Sequence, residues 1–102
     1  MGSRLELHNK LKEVLGNDNV YFKPPESVKL KYPCFIYNIS DVNVRHADNI
    51  KYSRMKRYQI LHIYKNPDED LIYPIQDAFL YSRFSRHYTS DNLNHDIFEV
   101  FF

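Results

Sequence analysis

Lys56-Arg57-Tyr58-Gln59-Ile60-Leu61-His62-Ile63-Tyr64-Lys65, running on into Asn66-Pro67-Asp68, is the stretch that decides the fold. Tyr58, Ile60, His62 and Tyr64 alternate with Arg57, Gln59, Leu61, Ile63 and Lys65, the period of two that sends successive side chains to opposite faces of a strand. Large apolar groups stand in both sets, so the pattern predicts a central strand covered on each face, by a helix on one side and by another subunit on the other. A helix start follows, with Asn66 as cap, Pro67 at the first position and Glu69 as the box partner. Leu71, Ile75, Ala78, Phe79 and Ser82 continue at helical spacing toward Phe84 and predict a face that rests on the sheet. Pro74 interrupts this run, which predicts either a kink or a true start near Tyr73.

Working outward, residues 3–15 place Leu5, Leu7, Leu11, Val14 and Leu15 on one stripe and predict a first helix that Gly16 stops. Ser3 and Glu6 fit a capping box at its start. Val20-Tyr21-Phe22 reads as a short edge strand closed by Pro24-Pro25, because a double proline offers the ladder no donors. Cys34-Phe35-Ile36-Tyr37-Asn38-Ile39 has the β-branched and aromatic content of a sheet interior. Residues 40–56, the most hydrophilic part of the chain, predict a long β-hairpin with arms through Val42 and Val44 and a mobile tip at Ala47-Asp48-Asn49. Beyond Phe84 the pattern predicts an extended Ser85–Thr89, a turn cluster from Ser90 to Asp96, and a last strand from Ile97 to Phe102. The expected architecture is a single α+β domain over residues 1–102: a mainly antiparallel sheet of about four to five strands with two helices packed on one face.

A chain of 102 residues supports one core. Its aromatic content of 16% comes from nine Tyr and seven Phe, and tyrosine at that density suits contact surfaces as well as strands. The net charge of +1 conceals a division: residues 1–65 hold twelve Lys+Arg and six Asp+Glu (+6), residues 66–102 two Arg and seven Asp+Glu (−5). Oppositely charged halves give copies of the chain a means of attracting one another. The lone Cys34 has no partner for a disulfide or a thiolate metal site and implies a reducing compartment. No apolar run reaches the length of a membrane span and no signal-peptide core precedes the first helix, so no membrane is expected and the expected setting is a cytosol.

His46 with Asp48, His95 with Asp96, and His62 are the groups with catalytic potential, but none stands at a metal-site or triad spacing, and no Gly-rich phosphate loop is present. The expectation is therefore no enzyme, no cofactor and no metal. Lys51, Arg54, Lys56 and Arg57, interleaved with Tyr52 and Tyr58, suit either a nucleic acid or an acidic patch on a neighbouring subunit. Asp91-Asn92-Leu93-Asn94-His95 is either a tight connection or a loop that presents Leu93 to a partner. The candidate contact residues are Arg45, His46, Asp48, Asn49, Tyr52, Arg54 and Arg57 on the hairpin and its strand, Asp68, Glu69 and Asp70 at the helix start, and Leu93. Arg57 is expected to meet the acidic trio of another copy.

Tyr32-Pro33-Cys34-Phe35-Ile36-Tyr37, Ala47-Asp48-Asn49 with Tyr52, Arg57-Tyr58, Asn66-Pro67-Asp68 and Asp91-Asn92-Leu93-Asn94-His95 occur in that order ahead of a terminal aromatic strand. In this combination the chain resembles the small tail terminator (tail completion, head-tail joining) proteins of long-tailed bacteriophages, over roughly residues 4–102. Pro74 departs from the uninterrupted helix of that family. The resemblance implies an α+β subunit of a homo-oligomeric, hexameric ring in the virion, assembled in the host bacterial cytoplasm. Such a ring caps the tail tube protein, ends tube polymerisation and docks the head connector or head-closure protein, while DNA passes only as cargo through its lumen. Two alternatives stay open: a head-closure or connector adaptor, and a small nucleic-acid-binding protein.

Overall fold

α1 (Arg4–Leu15) places Leu7 and Leu11 one turn apart, and both are fully buried. It stops at Gly16, which takes φ +85°, a left-handed conformation open to a residue without Cβ, and whose N–H meets the Lys12 carbonyl at 2.8 Å. The structure, a computed structural model, describes residues 4–41, 56–69 and 71–102. Ser3 of the expected capping box, Asp70, and most of the expected hairpin (42–55, with its arms and tip) lie outside the described residues.

Among the described residues five strands follow α1 in a single sheet: β1 (Val20–Phe22), β2 (Cys34–Asp41), β3 (Arg57–Tyr64), β4 (Tyr81–Ser90) and β5 (Leu93–Phe101), in spatial order β1-β2-β3-β5-β4. β1 runs parallel to β2, with Val20 beside Phe35 and Phe22 beside Tyr37. The sheet is therefore mixed, where the sequence pattern predicts a mainly antiparallel one. Residues 23–33 supply the reason: a connection of this length carries the chain back to the starting end of the sheet, as a parallel pair requires, whereas a tight turn reverses it. The Tyr32–Pro33 peptide bond that leads into β2 is cis.

The second helix is shorter than its apolar spacing predicts. Asn66 accepts the Asp68 N–H on Oδ1 at 3.0 Å and opens a 3-10 turn, Pro67–Glu69, and α2 proper is Ile72–Ala78. Pro74 falls in the first turn, where a backbone N–H has no helical partner anyway, so it costs no ladder bond. Phe79 closes the helix with its N–H on the Ile75 carbonyl at 3.0 Å and turns extended, at φ −122° and ψ 121°. Tyr81–Phe84, expected to prolong the helix, instead begin β4 and pair with β5, Tyr81 opposite Phe101 and Phe84 opposite Phe98. Aromatic residues at that spacing satisfy either pattern, and the ladder decides. β4 and β5 are joined by Asp91 and Asn92 at φ 54° and 62°, the mirror-image turn that matches strand twist. β5 thus starts at Leu93, inside the stretch expected to be a turn cluster.

Phe35 and Tyr37 of β2, Tyr58 and Ile60 of β3, and Phe98 and Val100 of β5 project from one face, as the registers require. Leu7 and Leu11 of α1 and Ile75 and Phe79 of the α2 segment join them in one buried core, each such side chain contributing about 1.5–3 kcal/mol. The Tyr37 hydroxyl accepts from Arg4 Nη1 at 3.1 Å and lies 2.8 Å from His8 Nδ1, which ties α1 to β2. Burial raises the Tyr37 pKa against the opposing pull of Arg4. Burial, with Lys12 and Arg4 nearby, lowers that of His8.

The Tyr58 hydroxyl is buried with no hydrogen-bond partner among the described residues. An unmade buried hydrogen bond costs about 1–3 kcal/mol, so Tyr58→Phe is expected to leave the fold intact and stabilise it by about 1 kcal/mol, read as a higher urea midpoint at unchanged slope. A lower midpoint shows that the hydroxyl is bonded. Cys34 projects from the opposite face of the sheet yet is fully buried, and desolvation pushes its thiol up to about 11, against a small lowering by the Ile63 backbone. Because the thiolate is the reactive form, Cys34 is expected to resist a thiol reagent at neutral pH while the chain is folded. Labelling at the rate of an exposed cysteine in native buffer contradicts this burial.

Candidate functional site

Register lays out the second face of the sheet in rows. Tyr21, Ile36, Leu61, Ile97 and Arg86 cross all five strands in one row. Asn38, Gln59, Glu99 and Arg83 form the next, and Arg57, Phe101 and Tyr81 the last. Ile36, Leu61, Ile97 and Phe101 are only half-buried, whereas their counterparts on the core face are buried. Cys34 and Ile63 are buried on this second face too, and in the same region the returning segment 23–33 brings the Lys31 N–H to the Tyr21 hydroxyl at 3.4 Å.

Three arginines rim these apolar side chains. The Arg83 side chain is 69% exposed and reaches Glu99 at 2.6 Å. Arg86 lies over the Tyr88 ring at 5.2 Å, and Tyr88 stacks on His95 with centroids 4.6 Å apart and planes 8° from parallel. Arg57 donates from Nε to Ser40 Oγ at 3.2 Å, beside the register shift between Ile39 and Asp41. The sequence pattern singles out Arg57 but not Arg83, Arg86 or Tyr88. The bulge between Phe84 and Arg86 breaks the alternation by which the other two arginines would have been read as one strand face.

Of the other expected contact residues, Arg45, His46, Asp48, Asn49, Tyr52, Arg54 and Asp70 lie outside the described residues. Asp68 and Glu69 stand exposed on the 3-10 turn. Arg57 opens β3 and this turn follows its far end, so one chain keeps the two charge groups at opposite ends of the strand. Leu93 is half-buried opposite Ser90 in the ladder, as a tight connection requires.

His95 and Asp96, adjacent in sequence, point to opposite faces. Asp96 is buried on the core side, where Tyr64 donates to Oδ2 at 2.8 Å and His87 Nδ1 lies 2.5 Å from Oδ1. His62, fully buried, stacks on Tyr64 at 4.4 Å and meets Phe35 edge-on at 5.2 Å. This polar group fastens the edge strand β4 to β5 and β3. Among the described residues no set of three His, Cys, Asp or Glu side chains is arranged to hold a metal ion, and no helix is long and apolar enough to cross a membrane. A cleft of about 340 Å³ lies among Leu15, Pro33, Asp68, Glu69 and Leu71, with His62 buried at its floor.

No family model, no curated protein and no solved structure matches the chain. Fold and surface together define an α+β domain with a mixed five-stranded sheet and a second, arginine-rimmed face.

Proposed function

We propose that this chain is a structural virion-assembly subunit of the kind it resembles, a tail terminator. In this reading the two helices form one layer on the core face, and the second face is covered by another protein. Copies close into a hexameric ring on the tip of the tail tube, stop its growth and dock the head connector or head-closure protein, with DNA as passing cargo. The protein acts by contact, without catalysis, cofactor or metal, at the head-tail junction of the virion. The observation that carries this reading is the row of half-buried Ile36, Leu61 and Ile97 across the centre of the sheet, with the polar row Asn38, Gln59, Glu99 and Arg83 beside it. A contiguous apolar strip rimmed by polar groups is the mark of an interaction surface.

Light scattering of the purified protein over a range of concentrations, with negative-stain microscopy alone and with tail tubes, tests the proposal. Rings, and tubes of arrested length carrying a cap, are the expected result. A monomer at every concentration that leaves tube growth unchanged removes it.

A further inference from the structure

We propose that the arginine-rimmed second face of one copy receives the acidic segment 67–80 of the next copy. This rests on reading the chain as a self-assembling subunit, and adds which surfaces meet. Segment 67–80 spans the 3-10 turn and α2, and the sequence from Asn66 to Ser82 contains Asp68, Glu69, Asp70 and Asp77 with no Lys or Arg. Asp68, Glu69 and Asp77 are exposed. So are two large apolar groups, Tyr73 at 74% and Leu80 at 86%. The receiving face has the complementary make-up: Arg57, Arg83 and Arg86 against Glu99, around Ile36, Leu61, Ile97 and Phe101.

The geometry makes this contact intermolecular and directional. Ile75 and Phe79 anchor the segment in the core on the first face of the sheet, while the arginines project from the second. A single chain cannot bring the two together. A contact between unlike surfaces is heterologous, the kind that closes into a ring when the rotation permits. The alternative, two second faces back to back, sets arginines against arginines and loses the charge match. Four long strands at about 4.8 Å spacing, each rising about 3.4 Å per residue over roughly six residues beyond the buried Cys34–Ile63 end, offer roughly 400 Å² in projection. That is about half of one partner's share of a stable interface, about 800 Å², before the relief of the side chains is counted.

Two charge-reversed proteins test the pairing. Arg57→Glu with Arg86→Glu makes the face acidic and leaves the Arg83–Glu99 pair in place. Glu69→Lys with Asp77→Lys makes the segment basic. Each is expected to weaken self-association by roughly tenfold or more in light scattering, with thermal midpoints near that of the parent. An equimolar mixture of the two is expected to recover assembly, since each face then meets a segment of opposite charge. If a Glu substitution unfolds the chain, Arg57→Gln with Arg86→Gln serves in its place, with a smaller expected loss.

Assembly of the parent protein that neither reversal alters overturns the pairing and leaves the ring reading standing. Loss with the face reversal alone overturns it in favour of a back-to-back contact. A monomeric parent protein removes the ring reading and the pairing with it. A monomer that retains single-stranded DNA at physiological salt, and loses it on reversal of Arg57 and Arg86, overturns both in favour of a nucleic-acid platform.

Discussion

Phe98→Ala is expected to lower stability by about 3–5 kcal/mol. Phe98 is fully buried on β5, which lies between β3 and β4, and its register partners are Ile60 and Phe84. The Phe84 ring meets it edge-on with centroids 5.5 Å apart, so truncation removes burial, an aromatic pair and the fill between two strands at once. Hydrogen-bonded strands on both sides restrict collapse of the cavity, and the cost belongs at the upper part of the usual range. For a domain whose total stability is of the order of 5–15 kcal/mol, that is a large share. The readout is the urea midpoint at constant slope. A loss below about 1 kcal/mol is incompatible with a site that is closed on all sides.

How much of this was legible in the sequence follows from how local each signal is. β3 was, because Tyr58, Ile60 and the residues around them carry the period of two within one element. The stop at Gly16 and the effect of Pro74 were legible too, because both act through their own backbone. The parallel pairing of β1 with β2 was not, since short strands and prolines say nothing about the direction in which an 11-residue connection returns. Tyr81–Phe84 were misassigned for a related reason: their strand state depends on β5, which comes later in the chain. The candidate surface was half legible. The apolar groups on both sides of β3 marked a second apolar face and Arg57 one point of its rim, but the other two arginines come from β4, hidden by the bulge.

The Asp96 group shows the same limit and carries the second large effect. Asp96 stands among Asp91, Asn92, Asn94 and His95 and reads locally as a turn residue, while its partners are 32 residues away at Tyr64 and nine away at His87. Asp96→Ala is expected to cost about 2–3 kcal/mol, since a hydrogen bond to a charged group contributes about 1.5–3 kcal/mol and the buried Tyr64 hydroxyl loses its acceptor. The two bonds do not simply add, because removing the carboxylate also removes its desolvation penalty. Tyr64→Phe leaves the carboxylate in place and is expected to cost about 1.5–3 kcal/mol. His87→Ala is expected to cost less than either, because the His87 side chain is 45% exposed and water can take its place beside the carboxylate. Combining Tyr64→Phe with Asp96→Ala is expected to cost little more than Asp96→Ala alone, the non-additivity of groups that share one interaction. If the two losses add in full, Tyr64 and Asp96 are not stabilised by each other, and β3 is held to β5 at this end by its ladder alone.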